Sequence, residues 1–244
     1  MERILSVANL SVSFGDRTVI RDLSFEVNEG DCVAVIGPNG AGKTALLRAL
    51  MGLVSYKGTI QWAPEVRLGY VPQQIAADRQ LPLSAMDLLT AKERRLKLQR
   101  SELDGVAAEV GLTQNILSTS MGTLSGGQFQ KVLVAFALLG KPNVLLFDEP
   151  TASLDELAEE HVYELLQKLQ KEKGMTTLLV SHDLSIVYRN ANMVLCLGNR
   201  KSCMGPPREI LTPEMLEEIY GAPSHYYQHA HGHAGLDPHR EEQQ

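Results

Sequence analysis

Two glycine-rich runs in this chain have the composition of anion-binding loops, and they differ by one cation. Gly37-Pro38-Asn39-Gly40-Ala41-Gly42-Lys43-Thr44 fits the pattern G-x-x-x-x-G-K-[ST]. In such a run backbone N–H groups converge on phosphate oxygens, the lysine reaches the outer phosphates, and the hydroxyl suits a hard cation. Leu124-Ser125-Gly126-Gly127-Gln128 has glycines and a hydroxyl but no lysine. It offers N–H groups at a helix start, yet it lacks the charge to hold a triphosphate by itself, so it reads as half a site. A pair of acids, Asp148 and Glu149, follows the apolar run Leu145-Leu146-Phe147. Asp148 could hold Mg²⁺ through water, and Glu149 could orient and deprotonate a water attacking a terminal phosphate.

Those residues need elements to position them. Cys32–Ile36 is nearly all apolar, as a strand buried on both faces should be, and it leads into the phosphate loop. The run after Lys43 predicts a helix that Gly52 stops. Upstream, ILSVANLSVSF and TVIRDLSFEV alternate and predict antiparallel strands with a turn at Gly15-Asp16. GTIQW and VRLGYVPQ predict two more strands. Residues 82–118 carry helical periodicity and much charge, and predict a mostly helical insertion. Its basic run KERRLKLQR reads as a solvated helix face or a docking surface. QFQKVLVAFALLG predicts a helix and VLLFDEP a buried strand ending in acids. In DELAEEHVYELLQKLQKEKG, Val162, Leu165, Leu166 and Leu169 share one helix face, and acids precede lysines as the helix dipole favours. TTLLVSH and MVLCLG complete an alternation of strands and helices, which predicts a mainly parallel α/β sheet.

With both glycine loops and the acids in this order, the chain resembles the ATP-binding subunits of ATP-binding cassette (ABC) transporters from Ile4 to about Tyr220. The resemblance implies a P-loop NTPase (RecA-like) mixed sheet core with an N-terminal antiparallel β subdomain and a helical insertion. It divides the chain into a nucleotide-binding core at 1–74 and 124–220, an insertion at 75–123 ending at the second glycine loop, and a tail at 221–244. It implies ATP and Mg²⁺ as cofactors, with Ala45 beside the phosphate loop and Thr44, Asp148 and Gln73 around the cation. Catalysis falls to Glu149, Gln73 and His182, the last in the run VSHD and directed at the γ-phosphate. Gln74 is the neighbouring, less favoured glutamine of GYVPQQ. Ala45 departs from the common Thr or Ser and removes one hydroxyl near the α-phosphate. Phe14 stands where the family stacks an aromatic on adenine, although its strand parity with Leu10 and Val12 equally suits a core role. Lys131, a basic residue after the second loop, reads as a helix-face cation.

The resemblance also assigns the missing charge of the second loop. In the family, Ser125, Gly126, Gly127 and Gln128 grip the γ-phosphate of ATP held by the other cassette of a head-to-tail dimer, with Asp155 at that interface. One cassette per chain then implies a homodimer. An integral membrane permease and an extracytoplasmic substrate-binding protein are the further partners, and the place implied is the cytoplasmic face of the cell membrane.

Composition sets outer limits. The chain has 244 residues, 44% of them apolar, and a net charge of -6. The acidic balance disfavours broad nucleic-acid binding, and no coiled-coil insertion or second cassette suggests an ABC ATPase acting on DNA or ribosomes. No window is long and apolar enough to span a membrane, and the N-terminus lacks the features of a signal peptide. The three cysteines form no C-x-x-C pair and read as reduced thiols in a cytosolic protein. Five of the seven histidines lie in the last residues: His225, His229, His231, His233 and His239. Their neutral imidazoles could bind Zn²⁺, Cu²⁺ or Ni²⁺, or they could belong to a solvated tail. The run from TTLLVSHDL to EEIYG most resembles the cassettes of zinc and manganese importers. Uptake of one of these metals is therefore the expected task, with another substrate such as an iron chelate, an exporter, or a non-transport ATPase as alternatives.

Overall fold

A computed structural model describes residues 2–73, 83–149, 156–198 and 202–221. Two sheets carry the described residues. The first is antiparallel, with order β2-β1-β4: β1 is Arg3–Phe14, β2 Arg17–Asn28 and β4 Tyr56–Trp62. The second has order β5-β6-β7-β3-β8-β9: β3 is Cys32–Ile36, β5 Leu68–Val71, β6 Val144–Asp148, β7 Thr176–Val180, β8 Met193–Leu197 and β9 Ser202–Gly205. Its pairings are parallel except for the β8–β9 hairpin. This is the mixed core and antiparallel subdomain that the sequence leads one to expect.

Every residue of β3, β6 and β7 is buried, and these strands are accordingly apolar apart from Asp148 at the end of β6 and Thr176 and Thr177 at the start of β7. Their side chains alternate between two layers. Val33, Val35, Leu146, Leu178 and Val180 face helix α1 (Lys43–Leu50) and the antiparallel sheet. Leu145, Phe147 and Leu179 face the opposite layer, built by α5 (Gly126–Leu138), α6 (Glu156–Lys173) and the helices before α5. Those are α2 (Ala85–Leu96), α3 (Arg100–Glu109) and α4 (Gln114–Ser118), followed by a 3-10 turn at Met121–Thr123. Their buried side chains, among them Leu89, Leu103 and Leu117, belong to the same cluster as Phe147 and Tyr163. Behind β3 and β8, α7 (Leu184–Asn190), α8 (Pro207–Ile210) and α9 (Pro213–Tyr220) close a third cluster around Ala34, Ile36 and Cys196.

Two expectations need correction. The basic run KERRLKLQR is not one helix face, because Lys97 takes the left-handed conformation (φ 54) and ends α2 inside it. Lys92 folds onto the Phe136 ring, 4.5 Å from its centroid, and Arg100 pairs with Glu93 and Asp104. Lys92, Glu93 and Arg100, at the two ends of the run, therefore help fasten the helical layer together. The cysteines are not all free thiols either. Cys196 and Cys203 face each other across the β8–β9 pair and are joined as a disulfide, while Cys32 is free and buried. Sequence spacing could not show this, since the pairing is set by hairpin register.

Burial raises the Cys32 thiol to about 12, with Asp31 adding to the effect. It should therefore resist alkylation in the folded chain, since the thiolate is the nucleophile. Alkylation counted by mass should find one reactive cysteine after denaturation without reductant, and three once reductant is added. Three without reductant would show that Cys196 and Cys203 are not joined.

Candidate active site

The parallel order aims three functional segments at one edge of the sheet, where ligands of open α/β sheets bind. The phosphate loop follows β3, Asp148 ends β6, and His182 follows β7. A cleft of about 590 Å³ lies there, lined by Phe14, Arg17, Val19, Asn39, Gly40, Gly42, Lys43, Thr44, Ala45, Arg48, Gln73 and Glu149. Gly37, Pro38 and Ala41 complete the loop behind this lining.

Gly37 has a backbone only glycine tolerates. Its φ is 151°, and a Cβ there would stand 2.2 Å from the Leu197 carbonyl oxygen. The loop thus passes against the end of β8, and its Gly37 carbonyl turns toward Lys43. Lys43 is 7% exposed, and its ammonium donates to that carbonyl at 2.9 Å and to the Pro38 carbonyl at 3.4 Å. Its third neighbour is Glu149, at 3.7 Å. Gly42, also at positive φ, caps α1 without a side chain and leaves the helix N-terminus open to an anion.

Asp148 is 2% exposed and sits on the α1 face of β6. The Thr44 hydroxyl donates to its Oδ1 at 3.0 Å, and the Tyr70 hydroxyl donates to its Oδ2 at 3.3 Å. Burial pushes the Asp148 pKa upward. The two hydroxyls oppose the shift, Glu149 reinforces it, and Arg48 opposes it. The Tyr70 phenol rises to about 12, first through burial and then through Asp148, so it remains an O–H donor. Glu149 adopts a left-handed backbone (φ 45), unusual for a residue with a Cβ, and its amide donates to the Val180 carbonyl at 3.2 Å. The Gln73 amide donates to the Glu149 carboxylate at 2.6 Å. Thr44, Asp148, Gln73 and Glu149 thus gather hydroxyl, carboxylate and amide oxygens beside the loop. Such a donor set fits a hard cation such as Mg²⁺ and not a soft one.

The remaining predicted residues divide. Phe14 is 48% exposed and lines the cleft, whereas Leu10 and Val12 are buried. Ser13 beside it is exposed as well, so the end of β1 has left the core on both faces and shared parity no longer buries Phe14. His182 is exposed just beyond β7. Ser125, Gly126, Gly127 and Gln128 do not line the cleft; they start α5 instead. Ser125 Oγ accepts from the Gln128 amide at 3.3 Å, and Gln128 Oε1 accepts from the Ser125 amide at 3.1 Å. Asp155, Gln74, His225, His229, His231, His233 and His239 lie outside the described residues. Sequence reasoning missed Tyr70, Arg17, Val19 and Arg48. Tyr70 was the findable one, since it lies in GYVPQQ at the end of a predicted strand.

Comparison with known proteins agrees with this geometry. The ABC transporter family model matches residues 20–152. A Thermotoga maritima protein named "Probable metal transport system ATP-binding protein" is 36% identical over 89% of this chain and 90% of its own. The zinc import ATP-binding protein ZnuC of Pseudomonas putida is 35% identical over 96% of this chain and 91% of its own. Among solved structures, a protein described as a metal-chelate type ABC transporter, in an inward-facing conformation, superposes with a TM-score of 0.82 at 29% identity, covering 91% of this chain and 90% of that one. CbiO1 of Clostridium perfringens, part of the ABC transporter complex cbiONQ, gives 0.75 at 25% identity over 88% and 93%. The chain belongs to the ABC transporter family, as one of its ATP-hydrolysing, ATP-binding subunits.

Gly37→Ala should weaken ATP binding by at least about ten-fold in an equilibrium titration, because the added carbon must move either the loop or β8. Gly52→Ala is the control. That glycine also has positive φ (70), but its Cβ would meet open space, so it should cost about 1 kcal/mol of stability and leave ATP affinity alone.

Proposed function

We propose that this chain powers uptake of a divalent metal ion, zinc or manganese, through a separate membrane permease. The observation that carries the reading is its 35% identity to a zinc import ATP-binding protein over nearly the whole of both chains. The metal transport relative points the same way. Among the described residues no helix is long and apolar enough to cross a membrane, so passage of the metal falls to another chain. We place the subunit on the cytoplasmic face of the membrane, bound to that permease, with an extracytoplasmic protein delivering the metal. The likeness to a metal-chelate type transporter favours a second reading, in which the cargo is a chelated metal.

In this reading the phosphate loop, residues 37–45, wraps the ATP phosphates, Lys43 lies against the outer two, and Phe14 stacks on adenine. Thr44, Asp148 and Gln73 would hold Mg²⁺, which neutralises phosphate charge. Glu149 orients and deprotonates the attacking water, and His182 contacts the γ-phosphate. Lys43 stands 3.7 Å from the Glu149 carboxylate, and Gln73 donates to it, so the proposed base is held beside the lysine that would meet the outer phosphates. Ser125, Gly126, Gly127 and Gln128 lie off the cleft of their own chain, which supports their use on ATP held by a second copy, with Asp155 at the same interface. Hydrolysis removes the phosphate that joins the two copies, and the segment after Gln73 passes the change to the permease.

Glu149→Gln should lower ATP hydrolysis by at least about 100-fold, the usual weight of a general base, while ATP binding persists. In cells carrying it as the sole copy, elemental mass spectrometry under metal limitation should show a selective fall in zinc or manganese. A fall in iron alone would favour the chelate reading. Unchanged metals would reject metal uptake and leave the ATPase assignment in place.

A further inference from the structure

Tyr70 contacts the site and has no role in the chemistry above. It lies on β5, where the parallel register sets it beside Leu146 of β6. Side-chain alternation then puts Tyr70, Leu146 and Asp148 on one face, the face covered by α1. The half-buried ring packs against the cluster there, which holds it in place. From that position its hydroxyl reaches diagonally to Asp148 Oδ2 at 3.3 Å, while Thr44 takes Oδ1 from the α1 side at 3.0 Å.

Asp148 is 2% exposed, so water has little access to replace either donor. The terminal torsion of an aspartate is otherwise broad, and two donors from opposite sides leave one orientation of the carboxylate plane. Without the phenol, Oδ2 keeps no donor among the described residues, and the carboxylate is free to rotate away from Thr44. The strand also links two parts of the site. Tyr70 holds Asp148, and Gln73, three residues on, holds Glu149 at 2.6 Å. One segment therefore sets the direction of both acids.

We infer that Tyr70 is a positioning residue for the cation that accompanies ATP: through its hydroxyl it orients the Asp148 carboxylate, and so sets the Mg²⁺-dependent part of ATP affinity. This rests on the Mg²⁺–ATP reading of the site. Partners that orient a metal's ligands typically contribute 10–100-fold to metal affinity.

The test is an equilibrium titration of the full chain with a fluorescent, non-hydrolysable ATP analogue, at Mg²⁺ concentrations from zero (EDTA) upward. Tyr70→Phe should raise the Mg²⁺ needed for half of the affinity gain by about ten-fold and leave the affinity in EDTA unchanged. In an Asp148→Asn background the same substitution should change nothing further, as expected of a residue that acts through that carboxylate. Tyr70→Leu separates ring from hydroxyl. If Tyr70→Phe matches the wild type and only Tyr70→Leu is defective, packing is what matters and the inference falls. It also falls if Tyr70→Phe weakens binding equally with and without Mg²⁺, or if its effect adds to that of Asp148→Asn. A wild type whose affinity ignores Mg²⁺ would instead overturn the cation reading itself, and the inference with it.

Discussion

The nucleotide cleft is organised around a buried ammonium. Lys43 is 7% exposed, and a charge so far from water is costly unless polar groups replace its hydration. The loop supplies two carbonyls, from Gly37 and Pro38, and Glu149 supplies a nearby carboxylate. Each requirement constrains a different part of the chain. Gly37, whose carbonyl accepts from the lysine, runs so close to the Leu197 carbonyl that there is no room for a Cβ. Glu149 stands near the lysine only because its own backbone turns left-handed at the end of β6. Two backbone positions that side chains rarely adopt thus stand beside this buried charge. A phosphate, bringing negative charge and more acceptors, would satisfy Lys43 better than carbonyls do.

Strand parity carries that order outward. In β6, Leu145 and Phe147 face the helical layer, while Leu146 and Asp148 face α1. An insertion of one residue before Asp148 would send the carboxylate to the wrong layer. Because β5 runs parallel to β6 in fixed register, Tyr70 is carried to the same face. The helical layer is not an appendage to this arrangement. Its side chains share a cluster with Phe147 and with α6, so a shift of α2 or α3 presses on the strand that ends in the two acids.

Much of this was legible in the sequence, for a physical reason. Strands buried on both faces are mostly apolar, so β3 and the apolar stretches of β6 and β7 announced themselves, and the residues after them fell at the sheet edge by topology alone. The phosphate loop was equally plain, since its lysine and glycines occur at a spacing that few other structures require. What stayed hidden depends on contacts between distant segments. Nothing in the spacing of Cys196 and Cys203 reveals that they are opposite in a hairpin. Phe14 shares strand parity with buried residues, and nothing in the sequence marks that the strand has already left the core at Ser13. The break at Lys97 was hidden because the residues around it are good helix formers, and one left-handed residue overrides them. Tyr70 was passed over because a tyrosine on a half-apolar strand needs no explanation until its hydroxyl is seen on a carboxylate.

The second glycine loop shows how a motif can serve its own helix and still be available to an anion. Ser125 caps α5 by accepting from the Gln128 amide, and Gln128 returns the contact. This uses a lone pair of the hydroxyl and leaves its proton, since a serine oxygen can accept and donate at once. Helix geometry leaves the N–H groups of Gly126 and Gly127 without an intrahelical acceptor, and neither residue has a side chain to screen them. One hydroxyl and two amides, at the positive end of a 13-residue helix, make a donor set for a phosphate. They include no cation, and they lie off the cleft that holds Lys43. A donor set of this strength suits a phosphate whose charge is already largely balanced, which is the demand that the proposed pairing with a second copy makes of it.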